Sequence, residues 1–253
     1  MYPPERQQRI VLLAQERGRV DVPSLAEEFD VTQETIRRDL SALDRAGLIR
    51  RVHGGALPVG GLHIEPGLAE RDSTAADEKE RIAKAALALL PEAGSVLLDA
   101  GTTISRLAAL LPQDSALTVV TNALPVAARL ADHAELTLHL VGGRLRHRTH
   151  AAVDAWALRD LADVHADLAV IATNGFSAGH GLSTPDLAEA AVKRAMVAGA
   201  DRVLLVADSG KYGHRHFARF ASLAEIHTVV TDSGLSDEDA AAVAAAGPEV
   251  IRA

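Results

Sequence analysis

Along the first 58 residues the apolar positions recur every three or four places. Ile10, Leu13 and Ala14 share one face of a helix predicted over about Glu5 to Arg17 and ended by Gly18. A short extended piece, Arg19 to Asp21, precedes a second helix over about Pro23 to Phe29. That helix turns Leu25, Ala26 and Phe29 inward and has Asp21 or Ser24 as its cap. After the turn Asp30–Thr32, a third helix is predicted to run from its N-cap Thr32 to Gly47. Ile36, Leu40 and Leu43 form its buried stripe; Glu34, Arg38 and Ser41 face away, with Arg37 at the flank. The run LIRRVHGGALP reads as a strand, a Gly-Gly turn and a return strand. Three helices and a hairpin over residues 1–58 make the winged helix-turn-helix pattern.

The periodicity then lapses. Residues 59–76, with Gly60, Gly61, Pro66 and Gly67, read as a linker. From residue 77 to 253 short apolar runs alternate with alanine-rich helical stretches such as Ile104–Leu111 and Leu187–Ala198. The runs are SVLLDAG, ALTVVTN, LTLHLVGG, ADLAVIATNG, RVLLVADSG and HTVVTD; DAAAVAAAG near the end is one more helix. Continuous apolar strands separated by helices imply a mainly parallel sheet covered on both faces. The predicted fold class is therefore α/β, a winged head joined to a parallel-sheet domain whose ligands belong at the C-terminal strand ends.

Composition narrows the function classes. The 253 residues contain no cysteine, which excludes disulfides, thiolate metal sites and a cysteine nucleophile. The start MYPPERQQRI lacks a signal-peptide core, and the longest apolar candidate is broken by Pro91, Glu92 and Gly94, short of the roughly 20 residues a span needs. A cytoplasmic protein without a membrane partner, nucleoid-associated when on DNA, is the expectation. None of the eleven histidines, His147/His150 and His214/His216 included, forms a recognised metal-ligand set, so neither metal nor cofactor is expected.

Charge changes the picture more. The net charge is -8, but residues 1–58 balance nine arginines against nine carboxylates, so the excess is all in the remainder. The acidic part repels polyanions, and any nucleic-acid contact has to come from placed arginines in the head. Thr32, Gln33, Thr35, Arg37, Arg38 and Ser41 supply the polar set that a helix needs in a major groove. Arg50, Arg51 and His53 lie where a wing meets the DNA backbone or minor groove. A solvated helix face with pairs such as Glu34–Arg38 fits the same residues, and composition does not decide between the two.

A second constellation collects at the strand ends. Asp99, Gly101, Thr102 and Thr103 lie where a helix follows the first run; free N–H groups and hydroxyls there suit a phosphate, although capping uses the same residues. Thr121 and Asn122, Gly142, Gly143 and Arg144, Asn174 and Gly175, and Asp208 and Lys211 end the next four runs. Together they suit a polyhydroxylated phosphate ester. Lys193, four residues after Glu189, reads as an ordinary helical pair. The tract RLRHRTH, Arg144 to His150, is a loop over the pocket, a subunit contact or a solvated run, the last being the default.

The segment VTQETIRRDLSALDRAGLIRRVHGGA resembles the N-terminal signature of the DeoR family of bacterial transcriptional regulators, at Val31, Thr32, Thr35 to Leu40 and Arg51 to Ala56. DAGTT, VVTNALPVA, LVGGRLR, GLSTPDLAEAAVKRAM and LVADSGKYG resemble the blocks of that family's sensor domain, so nearly the whole chain is covered. The resemblance implies a sensor fold related to ribose-5-phosphate isomerase and a repressor of sugar or polyol catabolic genes, relieved by a phosphorylated intermediate. It makes Thr32, Thr35, Arg37 and Arg38 the leading contacts to double-stranded operator DNA and brings Lys193 beside the pocket. A homo-oligomer, dimer or tetramer, is expected because one short reading helix spans few base pairs. Two departures stand out: Asp154 where the family pattern favours glycine, and Gly210 where it favours serine. The alternative is a sugar-phosphate isomerase or deaminase with an accessory DNA-binding head, using Asp208, Lys211 and Lys193 for proton transfer.

Overall fold

The computed structural model describes residues 3–45, 48–52, 54–58 and 66–253. The chain forms two compact units, Met1–Glu65 and Pro66–Ala253.

The first unit runs α1 (Pro3–Arg17), β1 (Val20–Asp21), α2 (Val22–Glu28), α3 (Gln33–Arg45), β2 (Ile49–Val52) and β3 (Gly55–Pro58). Its core is the expected stripe residues, Ile10, Leu13 and Ala14 of α1 packed with Leu25, Ile36, Leu40 and Leu43. Each such leucine or isoleucine contributes about 1.5–3 kcal/mol by leaving water. Asp21 caps α2 by accepting from Ser24 N at 2.9 Å, and that bond holds its carboxyl below the usual range. Thr32 Oγ1 accepts from Thr35 N at 3.2 Å, which starts α3 where the sequence placed it. The extended piece at residues 20–21 does more than expected: it joins the hairpin as an outer strand, in the order β1-β3-β2. A Cβ on Gly55 would lie 2.0 Å from Val20 O, so only glycine lets these strands meet. Gly47, where the sequence predicted the end of α3, and the wing-tip residue His53 lie outside the described residues.

The second unit begins with α4 (Leu68–Ser73) and α5 (Ala76–Leu87). The stretch 66–76, expected as linker, is thus largely helical. Lys79 of α5 donates to Arg71 O and Thr74 O, and Arg106 to Asp72 O and Oδ1 at 3.0 Å; these bonds hold α4, which buries none of its own residues. Then come β4 (Ala93–Leu98), α6 (Thr102–Leu110), β5 (Ala116–Thr121), α7 (Leu124–Leu130), β6 (Thr137–Leu140), β7 (Arg144–Arg146), β8 (Ala151–Val153), α8 (Asp154–Ala162) and β9 (Ala166–Ala172). The chain closes with β10 (Gly175–Ser177), β11 (Gly181–Thr184), α9 (Leu187–Ala198), β12 (Ala200–Val206), β13 (Ala218–Ala221), β14 (Thr228–Thr231), α10 (Asp237–Ala245) and β15 (Glu249–Arg252).

The six apolar runs are six strands of a seven-stranded parallel sheet, order β15-β14-β12-β9-β4-β5-β6. The seventh, β15, has only Val250 and Ile251 as apolar residues and gives a weak signal; pairing with β14 makes it a strand. The sheet is lined by Leu97, Val119, Val170, Leu205 and Val229, all buried. From β4 the chain steps outward through β5 and β6, then returns to β9 on the other side of β4 and continues through β12, β14 and β15. The topological switch point therefore lies between the C-terminal ends of β4 and β9, where a crevice opens in such sheets. Two small antiparallel additions, β7-β8 and β10-β11-β13, sit outside the sheet. No helix of the described residues is long and apolar enough to cross a membrane.

Candidate functional site

In the head, the reading face of α3 is exposed as its spacing required. Arg38 is 83% exposed, 3.9 Å from Glu34, and Arg37 lies 3.6 Å from the same carboxylate. Gln33 Oε1 accepts from Arg37 Nη2 at 3.4 Å, and the Thr32 and Thr35 hydroxyls bond each other at 2.9 Å. Arg50 is exposed on β2. Ser41 and Arg51 are tied together instead: Arg51 Nη1 donates to Ser41 Oγ at 2.9 Å, Ser41 Oγ donates to Arg37 O, and Asp44 accepts from Arg51 N. These bonds fix the wing against the reading helix.

What holds that helix from behind has no local signature along the chain. Arg6 Nε donates to Asp39 Oδ2 at 2.6 Å, with both side chains buried, and Gln7 Nε2 donates to Asp39 Oδ1 at 2.9 Å. Arg6 is thereby a packing residue of α1, withdrawn from the surface arginines.

At the switch point, Asp99 and Lys193 meet from opposite walls. Asp99 Oδ2 accepts from Lys193 Nζ at 2.5 Å and from Ala172 N at 2.9 Å; Lys193 also donates to Ala172 O and lies 5.8 Å above the Phe220 ring. The plain helical pair Glu189–Lys193 does not form. Glu189 instead accepts from the hydroxyls of Thr149 and Thr184, with Arg146 Nη1 at 3.4 Å. Arg146 also reaches Asp186 at 3.1 Å and is 14% exposed. The default reading of the basic tract as a solvated run is therefore wrong at Arg146, because the hairpin β7-β8 folds it onto the acidic start of α9.

Beside this pair α6 starts at Gly101 without any side-chain cap, and Thr102 and Thr103 are buried at its first turn. A Cβ on Gly101 would come 3.1 Å from that of Ala172, so glycine here lets the α6 start approach the end of β9. On the adjacent strand end, Thr121 accepts from Ala123 N, and Asn122 donates to Ala152 O at 3.0 Å while its buried Oδ1 has no partner. Asp208 and Lys211 sit 3.4 Å apart across one 3-10 turn at the end of β12. Asp232, at the end of β14, positions that turn by accepting from Ser209 N and Oγ. A Cβ at Gly210 would approach Asp208 Oδ1 to 3.2 Å.

Burial pushes the Lys211 ammonium down to about 8; Asp208 opposes the shift, and the nearby charges of Arg71 and Lys79 add to it. Burial also lowers Lys79, which lies within the fields of Asp208, Arg71, Asp72 and Arg106. Lys79 and Arg71 were missed by sequence reading. The one available signal was a lysine at Lys79 on the otherwise apolar side of α5, beside Ile82, Ala83 and Ala86.

Other expected ligands have structural employment. A Cβ on Gly175 would lie 2.4 Å from His214 O, and one on Gly143 2.6 Å from Val153 O at a φ of +143°. Gly142 N donates to Asp160. Asn174 O accepts from the His216 ring. Gly143 and Arg144 line a separate hollow of about 320 Å³ with Val153–Trp156, next to the edge strand β6. Asp154 holds Arg144 at 2.5 Å and carries a φ of +75°, the left-handed conformation that a glycine would take without strain. No group of three or more metal-ligating side chains occurs among the described residues.

Two family models match the chain: the DeoR-like helix-turn-helix domain over residues 6–59 and the DeoR C terminal sensor domain over residues 74–233. The HTH-type transcriptional regulator GlpR of Haloferax volcanii is 38% identical over 99% of this chain and 98% of its own. The glycerol-3-phosphate regulon repressor of Escherichia coli K12 is 32% identical over 90% of each chain. Among solved structures, ribose 5-phosphate isomerase A of Methanocaldococcus jannaschii aligns over 55% of each chain at 13% identity and a TM-score of 0.41. The matched families and these full-length relatives are regulators, not enzymes. With both its domains matched and its length shared with these relatives, the chain belongs to the DeoR family of DNA-binding transcriptional regulators.

Proposed function

We propose that this regulator represses genes of sugar or polyol catabolism and is released by a phosphorylated sugar or polyol. The head reads operator DNA with Gln33, Thr35, Arg37 and Arg38 of α3, Thr32 at its cap and Arg50 on the wing; Ser41 and Arg51 brace that surface. The effector lies at the switch point, with its phosphate against the uncapped start of α6 at Gly101–Thr103 and the Lys211 side, and its hydroxyls toward Asn122 and Asp208. Asp99 and Lys193 shape the floor of the crevice. Gly142, Gly143, Arg144, Asn174 and Gly175 shape its surroundings rather than bind.

The observation that carries this reading is the α6 start. A nine-residue helix starts there without a side-chain cap, two residues after the Asp99 that holds the buried Lys193 ammonium, at the switch point of the sheet. The unpaired buried Asn122 Oδ1 supports it, since a ligand hydroxyl is the donor it lacks. The relative that represses a glycerol-3-phosphate regulon supports the ligand class. Release follows if the effector binds the DNA-free state better than the bound one. The active species is a dimer or tetramer in the cytoplasm, because one reading helix covers too few base pairs.

A thermal-shift panel of phosphorylated sugars and polyols tests the ligand class, since a ligand at 100 times its Kd stabilises by roughly 2.7 kcal/mol. Band-shift assays on promoter fragments, with and without each hit, test repression and release. Silence throughout both panels, or turnover of a sugar phosphate, rejects the reading.

A further inference from the structure

Hairpin tips are normally exposed, but the tip of the β7-β8 hairpin is packed. Thr149 is buried there, and its hydroxyl donates to Glu189 of α9, a carboxylate that is itself buried. Thr184 of β11 donates to the other oxygen of Glu189 at 3.3 Å. Arg146 spans the start of α9, 3.1 Å from Asp186 and 3.4 Å from Glu189. Thr149 N and His150 N both donate to Arg146 O, which makes the tip and the arginine one piece.

The return strand is fixed on the other flank of the crevice. Ala152 N donates to Asn122 O at 2.7 Å, Asn122 Nδ2 donates to Ala152 O at 3.0 Å, and Leu124 N donates to His150 O at 3.0 Å. These anchors stand at the C-terminal end of β5. Helix α9 stands against the end of β9, where Lys193 donates to Ala172 O at 3.1 Å. In the sheet, β4 lies between β5 and β9, and α6 begins beyond its end. The hairpin therefore crosses from one flank of the crevice to the other. Both fixings are joined directly to crevice residues. Asn122 carries the unpartnered Oδ1, and Glu189 lies four residues, about 6 Å of helix, from Lys193.

We propose that the β7-β8 hairpin is the wall that sets which phosphorylated ligand the sensor accepts, and that Glu189 is the residue that positions it. The inference rests on the reading of the crevice as a phosphorylated-ligand site. With the phosphate at the α6 start, the wall meets the end of the ligand that differs among sugars and polyols. A buried carboxylate needs all its donors, so Glu189 holds the hairpin at one distance while Thr149, Thr184 and Arg146 reach it. Loss of one donor moves the wall outward and enlarges the crevice at the sugar end. None of Glu189, Thr149 and Arg146 is assigned to the ligand, so the wall can be altered without removing a ligand contact.

The test uses the full chain with inorganic phosphate, glycerol 3-phosphate and fructose 1-phosphate as probes. Calorimetry compares the parent with Thr149→Val, Thr149→Ser and Arg146→Met. Thr149→Val keeps the shape and loses the hydroxyl; Thr149→Ser keeps the hydroxyl. In Thr149→Val and Arg146→Met, affinity for inorganic phosphate is expected to stay within about twofold. The affinity for fructose 1-phosphate relative to glycerol 3-phosphate is expected to rise about fivefold or more, and Thr149→Ser to keep the parent's ratio within about twofold. A merely structural defect lowers all three affinities together and leaves the ratio fixed. That result overturns the proposal, as does an unchanged ratio in variants that melt like the parent. Hydrogen exchange on the parent needs no variant: the largest probe that binds is expected to slow residues 147–150 at least about threefold more than inorganic phosphate does. Equal exchange with both overturns the wall. A parent that binds inorganic phosphate alone overturns the wall and keeps the phosphate seat. Failure of every probe to bind the parent overturns the ligand reading and this inference with it.

Discussion

Replacing Asp39 by alanine removes the only buried carboxylate of the head among the described residues. Arg6 and Asp39 are 7% and 6% exposed, so the guanidinium loses its carboxylate partner inside the fold, and the Gln7 amide loses an acceptor. Breaking a buried pair from one side costs about 3–5 kcal/mol. A unit of this size has a total stability of only about 3–9 kcal/mol at roughly 0.05–0.15 kcal/mol per residue. Asp39→Ala should therefore populate the unfolded head and accelerate amide exchange in α3 at least about a hundredfold, since each 1.4 kcal/mol is a factor of ten. Operator binding should fall in step, although Asp39 faces away from the reading surface. Exchange in β4 and β9 should not change, because those strands belong to the other unit. The double variant Arg6→Met with Asp39→Leu should regain most of the loss, as apolar replacements of buried pairs often do. If Asp39→Ala keeps both α3 exchange and operator affinity within about threefold of the parent, the buried pair is not what supports the reading helix.

Lys211→Met is the pH test. In the fold Lys211 titrates at about 8, below the value of about 10.4 for free lysine, so its charge is penalised fully below pH 8 and the penalty fades as pH rises toward the free value. The variant should be more stable than the parent at pH 7 and no more stable at pH 10.5. The parent's affinity for a phosphate probe should decline as pH climbs past 8, while the variant binds weakly at every pH; the opposite slope in denaturation or calorimetry would dismiss the assignment. Arg38→Ala should weaken operator binding by about 1–3 kcal/mol and relax preference at one base pair, if Arg38 pairs with a guanine; a uniform loss across sequences would mean a phosphate contact instead. Gly175→Ala should destabilise the sensor by about 1–3 kcal/mol through its clash with His214 O, without altering which effector is chosen. A change of effector preference at unchanged melting temperature would return Gly175 to the ligand shell.

The order of the head's helices and of six of the seven sheet strands followed from spacing alone. Ile36, Leu40 and Leu43 could only bury one helix face, and runs such as ADLAVIA could only be strands covered on both sides, because those periods leave no other way to hide the apolar surface. The caps at Asp21 and Thr32 were equally local, each bonding a backbone N–H three residues on. Long-range pairing was hidden, since burial depends on which elements meet. Arg6 finds Asp39 across 33 positions, and Lys193 leaves its helical neighbour for Asp99, 94 residues away. The same holds for α4, for the strand β15, and for the glycines whose missing Cβ makes room for a distant carbonyl. Sequence thus determined most of the segments that become helix or strand and where polar residues gather. Only tertiary packing decided which charges are neutralised inside and which are left for DNA or an anion, because that depends on distances no local pattern encodes.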